Sequence, residues 1–155
     1  MKKNILIIAL SFFVLNCFSN TAKEASVVVP AAVKQAFLKT FPKATNTEWG
    51  IEKPGEFEAE FKLNNVATSA LFNKNGALLE TETGMTLSTL PVAVKATLTK
   101  SFVGFKLQEI EKTTVKGVAS FEMIAAKGKE NFELVFDLNG KLLKKEVVKK
   151  EDKED

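Results

Sequence analysis

Phe72–Glu80 reads FNKNGALLE, and Phe136–Lys144 reads FDLNGKLLK. The phenylalanine, the Asn-Gly pair and the Leu-Leu pair recur in the same places, 64 residues apart (136 − 72). Asn-Gly between two apolar runs is a strong hairpin signal, because both central positions of a type I′ turn need positive φ. Each Asn-Gly should therefore join two antiparallel strands, and the chain should contain this hairpin twice.

The recurrence extends outward in both directions. VVPAAVKQAFLKTF (Val28–Phe41) matches TLPVAVKATLTKSF (Thr89–Phe102), 61 residues apart from proline to proline (91 − 30). Proline suits the start of a helix, where its missing N–H has no intrahelical partner to lose. Val33, Phe37 and Phe41 fall at i, i+4 and i+8, as do Val94, Leu98 and Phe102. This spacing predicts two helices, each with one apolar stripe and with Lys34, Lys39, Lys95 and Lys100 off it. EFEAEFKL (Glu56–Leu63) alternates strictly: Phe57, Ala59, Phe61 and Leu63 share one face, and Glu56, Glu58, Glu60 and Lys62 the other. Such a strand has one buried face and one wet face. Its counterpart runs through Phe121, Met123 and Ala125, and Phe57 to Phe121 is again 64 residues (121 − 57). The second copy thus holds three extra residues (64 − 61) between helix and strand, expected in the turn at Lys116–Gly117.

Val66–Asn73 and Asn131–Asp137 read as the next strands, and Ala77–Thr83 and Lys141–Val148 as the last. First strands are expected at Thr45–Ile51 and Lys106–Thr113. The fold class is α+β: a tandem repeat, 28–83 and 84–148, of one helix and a four-stranded antiparallel meander. A unit of about 60 residues buries only about 60% of its unfolded surface and is marginal alone. Two such units gain stability by sharing a core or by continuing one sheet into the other.

The ends read differently. Residues 1–22, MKKNILIIALSFFVLNCFSNTA, carry two lysines, an apolar run from Ile5 to Leu15 and then polar residues. That is the form of a signal peptide, too short to span a bilayer and leading to a secreted or periplasmic chain. VLNC around Cys17 is the alternative, a lipid-anchoring motif that would tether the protein to the outer membrane, although Asn16 stands where that motif wants a small residue. Cys17 is the one cysteine, so a chain cleaved after it must fold without disulfides. Residues 149–155, KKEDKED, lack any apolar partner and are expected to be a disordered tail.

The x-P-x-A-V-K helix ending in Phe, the F-E-x-x-F strand and the F-x-x-N-G-x-L-L hairpin together resemble the PepSY-like family of secreted bacterial proteins, similar in fold to the β-lactamase inhibitor protein. The resemblance runs from Val28 to Val148. It implies a helix packed on a four-stranded antiparallel sheet, twice over, and a binding or inhibitory role. It assigns no functional residue.

Composition narrows the chemistry. All 22 basic residues are lysines; the chain has no His, no Arg and no Tyr, but 13 Phe and one Trp. Without His, a Ser-His-Asp triad and the usual zinc sites cannot form. No glycine-rich loop opens a helix to cradle a phosphate. The formal charge of +3 falls to +1 without Lys2 and Lys3, and a near-neutral surface without Arg matches nucleic acid poorly. No catalytic residue, cofactor or metal is expected, and the mature chain should not span a membrane. The function expected is a non-enzymatic module that binds a protein or peptide of the cell envelope through its exposed sheet surface. Its candidate residues are Trp49, a side chain suited to an interface anchor or to the core, and Glu56, Glu58 and Glu60 on the wet face. The alternative is a carrier of an apolar small molecule held between helix and sheet among the phenylalanines.

Overall fold

The computed structural model describes residues 27–148. Helix α1 (Ala31–Thr40) leads into strands β1 (Thr45–Lys53), β2 (Glu56–Leu63), β3 (Val66–Asn73) and β4 (Leu78–Gly84). A single 3₁₀ turn (Leu87–Thr89) then precedes helix α2 (Val92–Ser101) and strands β5 (Lys106–Val115), β6 (Val118–Lys127), β7 (Glu130–Asp137) and β8 (Leu142–Val148). The eight strands form one antiparallel sheet in sequence order, so the protein is α+β. Both signal-peptide and tail expectations fall outside the described residues.

Pro30 and Pro91 stand immediately before the helices at φ −57° and −54°, and their carbonyls accept from Lys34 and Lys95 at 3.1 and 3.0 Å. Phe41 and Phe102 end the helices, and each closes the last turn through its own N–H to the carbonyl of Phe37 or Leu98. Their rings turn back onto the sheet, with Phe41 4.8 Å from Phe61 and Phe102 5.9 Å from Phe136 between centroids.

Both helices cover the same face of the sheet. Val33 and Phe37 of α1 pack on Phe57, Ala59, Phe61, Ala70 and Phe72. Ala70 pairs with Thr81, Thr81 with Thr114, and Lys112, two residues before Thr114, with Phe121. Directly paired residues share a face, so Phe121 lies on the α1 side, and there it packs with Val94 and Leu98 of α2. The two hydrophobic cores stay separate. What the halves share is therefore the sheet, joined where β4 pairs with β5, and not a common core.

Two expectations are corrected by the geometry. The three extra residues of the second half do not enlarge the Lys116–Gly117 turn. They lengthen the hairpin arms, since β5 and β6 have ten residues each against nine and eight in β1 and β2. The Asn-Gly corners are hairpins, but only Gly76 and Gly140 take positive φ, at 82° and 75°. Asn73 and Asp137 close three-residue loops instead. Each side-chain Oδ1 accepts two backbone N–H bonds, at 3.0 Å from Asn75 and Ala77 and at 2.9 Å from Asn139 and Lys141. A three-residue loop needs positive φ at its last position alone. The true two-residue turns with both φ positive are Asn64–Asn65 and Lys116–Gly117.

Each Asn-Gly corner presses on a helix start. A Cβ on Gly76 would sit 2.6 Å from the Ala32 carbonyl oxygen, and one on Gly140 would collide with the Ala93 carbonyl. The Thr97 hydroxyl also donates to the Gly140 carbonyl at 2.7 Å. Gly117, at φ 80°, has open space instead. Gly140→Ala should therefore lose about 2–4 kcal/mol in urea denaturation, and Gly117→Ala about 1 kcal/mol. Equal losses would contradict the close approach of corner and helix.

Candidate functional site: the open face of the sheet

The face away from the helices is built by the period-two alternation of all eight strands. β2 contributes Glu56, Glu58 and Glu60, and β4 contributes Glu80 and Glu82. Glu111 and Thr113 come from β5, Ser120 and Glu122 from β6, Glu133 from β7 and Lys144 from β8. The register aligns them in rows across the strands. One row runs Glu48, Glu60, Ser69, Glu82, Thr113, Ser120. The next runs Gly50, Glu58, Leu71, Glu80, Val115. On the other side Glu111 pairs with Glu122, which pairs with Val135.

The expected site residues do not all meet. Glu56, Glu58 and Glu60 line the open face, and Glu56 is tied to Lys53 at 3.2 Å. Trp49 is on the opposite face. It pairs with Ala59 and stands edge-on to Phe37 at 5.3 Å between ring centroids. It belongs to the packing around α1. Glu58 and Glu122 lie on one surface, because β4 and β5 carry it across the junction.

Sequence reasoning passed over Glu80, Glu82 and Glu111. LETETG reads as a leucine-rich final strand, and only its Glu-Thr-Glu alternation hints that both carboxylates share a face. Their meeting with Glu111 and Thr113 requires the β4–β5 register, which no local pattern specifies.

Electrostatically the middle of this face differs from its rim. Lys144 bonds Glu133 at 2.9 Å and Glu146 at 3.1 Å and neutralises the β7–β8 end. Glu58, Glu60, Glu80, Glu82, Glu111 and Glu122 have no ion pair among the described residues. Burial raises the pKa of all six, and neighbouring carboxylates raise each further. Glu80 is pushed up to about 7, after burial mainly by Glu122. Glu82, 6% exposed, is pushed up to about 8, after burial mainly by Glu111. Two buried polar atoms on this face have no hydrogen-bond partner: Glu80 Oε1 and Thr113 Oγ1. Thr113 is 0% exposed. Its hydroxyl stands close enough to Glu122 to hold that carboxylate down somewhat, without completing a hydrogen bond at good geometry. Ser69 Oγ donates a long bond to Glu82 Oε2 at 3.4 Å.

The spaces between helix and sheet are largely filled, with Phe72 and Phe136 at 0% exposure. A groove beside α2, lined by Leu87, Leu98, Phe102, Phe105 and Leu107 among others, encloses about 250 Å³. Ordinary small-molecule pockets hold about 300–1,000 Å³. Among the described residues no group of three or more His, Cys, Asp or Glu could hold a metal ion, and no helix is long and apolar enough to cross a membrane.

One antiparallel sheet with two helices on one face and a carboxylate-rich open face defines an α+β sheet-platform protein. The chain belongs to the family described as "Putative beta-lactamase-inhibitor-like, PepSY-like", whose model matches residues 21–79 and 55–144. Among solved structures it is similar to a BLIP-like protein from Bacteroides fragilis, at 22% identity and TM-score 0.72, covering 83% of this chain and 94% of that one. It is also similar to a protein from Bacteroides eggerthii described under "putative periplasmic proteins", at 19% identity and TM-score 0.73, covering 78% and 90%. A DUF2874 family protein from Bacteroides ovatus matches at 21% identity and TM-score 0.72, covering 78% and 89%. These likenesses show the fold. The comparison with curated proteins gives no match.

A raised carboxylate pKa means that the folded chain holds protons that the unfolded chain, near 4.5, releases. The stability these groups contribute is full below about pH 4.5 and is lost as pH rises through 7 to 8. The melting temperature should therefore fall between pH 5 and pH 8. Glu82→Gln should flatten that slope and gain about 1–3 kcal/mol at pH 8. A pH-independent melting temperature, or a loss in Glu82→Gln, would contradict the buried carboxylates.

Proposed function

We propose that the chain is a doubled helix-plus-four-strand unit acting as a non-enzymatic binding module in the periplasm. Its partner is a protein or peptide of the cell envelope, engaged on the open sheet face. The observation that carries this reading is the uncovered carboxylate field. Desolvated like charges oppose folding, so their placement on the one face the helices leave bare favours a task in recognition.

Other features support the parts of the proposal. The doubling accounts for a bulge in the first strand of each half, where Asn46 and Glu109 take φ 53° and 49°, and for matching corners at Gly76 and Gly140. The family description and the BLIP-like neighbour favour binding over catalysis. The raised carboxylates sit on an open surface rather than in a cleft, and the chain offers no His to work with them. The neighbour described as periplasmic and the signal-like residues 1–22 agree on the compartment.

The test is capture of a partner from envelope extract by the immobilised protein. Glu58→Lys with Glu60→Lys should weaken saturable capture about ten-fold or more, and Lys34→Glu with Lys39→Glu on α1 should leave it within about two-fold. Unchanged capture by the first pair would remove the open face from the account.

A further inference from the structure

We infer that the open face takes a lysine- or arginine-bearing polypeptide segment, with cationic side chains seated among Glu82, Glu111 and Glu122 over the Thr113 hydroxyl. This rests on the reading of the open face as the binding surface and specifies its partner's chemistry.

Three properties of the face select such a ligand. First, the middle of the face is rich in acceptors, and Lys144, at the β7–β8 end, is already paired with Glu133 and Glu146. The carboxylates accept only once ionised, a state that an incoming cation favours, and the Ser69 hydroxyl is already directed at Glu82. Ammonium and guanidinium groups are donors without acceptors, and their bonds to carboxylates are about twice as strong as neutral ones. Second, Thr113 Oγ1 is fully buried, has no partner, and sits in the row between Glu82 and Ser120. A buried hydroxyl left unmatched in the free protein has lone pairs open to a donor brought from outside. Third, the carboxylates are spread over β2, β4, β5, β6 and β7, and strands are about 4.8 Å apart. Among the described residues they form no group of three or more that could hold a metal ion.

The extent of the field favours a chain over a single amine. From Glu58 on β2 to Glu122 on β6 it crosses four strand spacings, about 19 Å, the reach of about six extended residues. Leu71, Val115, Ile124 and Val135 lie between the carboxylates on the same face. They form an apolar bed for the aliphatic stems of lysine and arginine, whose charged heads reach past it.

The test is a fluorescence-anisotropy titration of the full chain with fluorescein-labelled octalysine at fixed ionic strength. Saturable one-to-one binding is expected. Glu82→Gln with Glu111→Gln should weaken it about ten-fold or more, and Thr113→Val about five-fold or more, whereas Thr113→Ser and Glu130→Gln should stay within about two-fold. Glu130 lies on the helix side at the end of the β6–β7 hairpin, so it reports non-specific charge attraction. A melting curve of Thr113→Val checks that the variant folds, since the hydroxyl completes no hydrogen bond at good geometry yet eases the charge on Glu122. No saturable binding, an equal loss in Glu130→Gln, or indifference to Thr113→Val would overturn the proposal. So would spermine binding as tightly with the same pattern of losses, which would replace the polypeptide by a small polyamine. Capture from envelope extract with Leu71→Trp separates the two levels. Capture lost by that variant, with no octalysine binding, removes the cationic partner and keeps the face. Capture retained removes the face itself.

Discussion

The pairing of β4 with β5 is the interaction on which the rest of the structure depends. Each half buries its own helix against its own strands, and the two cores do not merge. Only the antiparallel run of Glu80–Gly84 against Glu111–Val115 makes one sheet of them. That register sets Glu82 beside Thr113 and carries the wet face of the first half into that of the second. Without it there would be two short meanders, each with a few exposed glutamates and no continuous field.

The two faces of the sheet are opposed in energy. On the helix side, Val33, Phe37, Phe72, Val94 and Phe136 are buried, and each contributes about 1.5–3 kcal/mol of transfer free energy. On the open side, carboxylates are partly desolvated beside one another, and each unit of upward pKa shift opposes folding in the charged state by about 1.36 kcal/mol. Lys34, Lys39 and Lys100 are exposed on the helices, so the molecule is basic on its back and acidic on its open face although its overall charge is small. A near-neutral total therefore hides a polarised surface.

Much of this was legible in the residues. The i, i+4 stripes of Val33–Phe37 and Val94–Leu98, the alternation of Glu56–Leu63 and the two Asn-Gly corners each report a local period or a local φ requirement. Local signals of that kind survive in any tertiary context. The candidate site was legible only in part, because a one-residue change of register moves a strand's side chains to the other face. The β-bulge between Thr45 and Glu48 sets the register of β1, and with it the placement of Trp49 toward Phe37 and away from Glu58. The three-residue loops were hidden for a similar reason. Asn73 and Asp137 capture backbone N–H groups that an Asn-Gly turn of two residues would arrange otherwise. The carboxylates of β4 and β5 met only through a pairing that joins the two halves.

The central claim is that the β4–β5 junction holds buried, mutually repelling carboxylates. It is tested most directly by following the side-chain carboxyl carbons of Glu80 and Glu82 by NMR through a pH titration of glutamate-labelled protein. The account predicts midpoints near 7 for Glu80 and near 8 for Glu82. Midpoints near 4.5 for both would mean that the junction is solvated, and the account of the open face would fail with it.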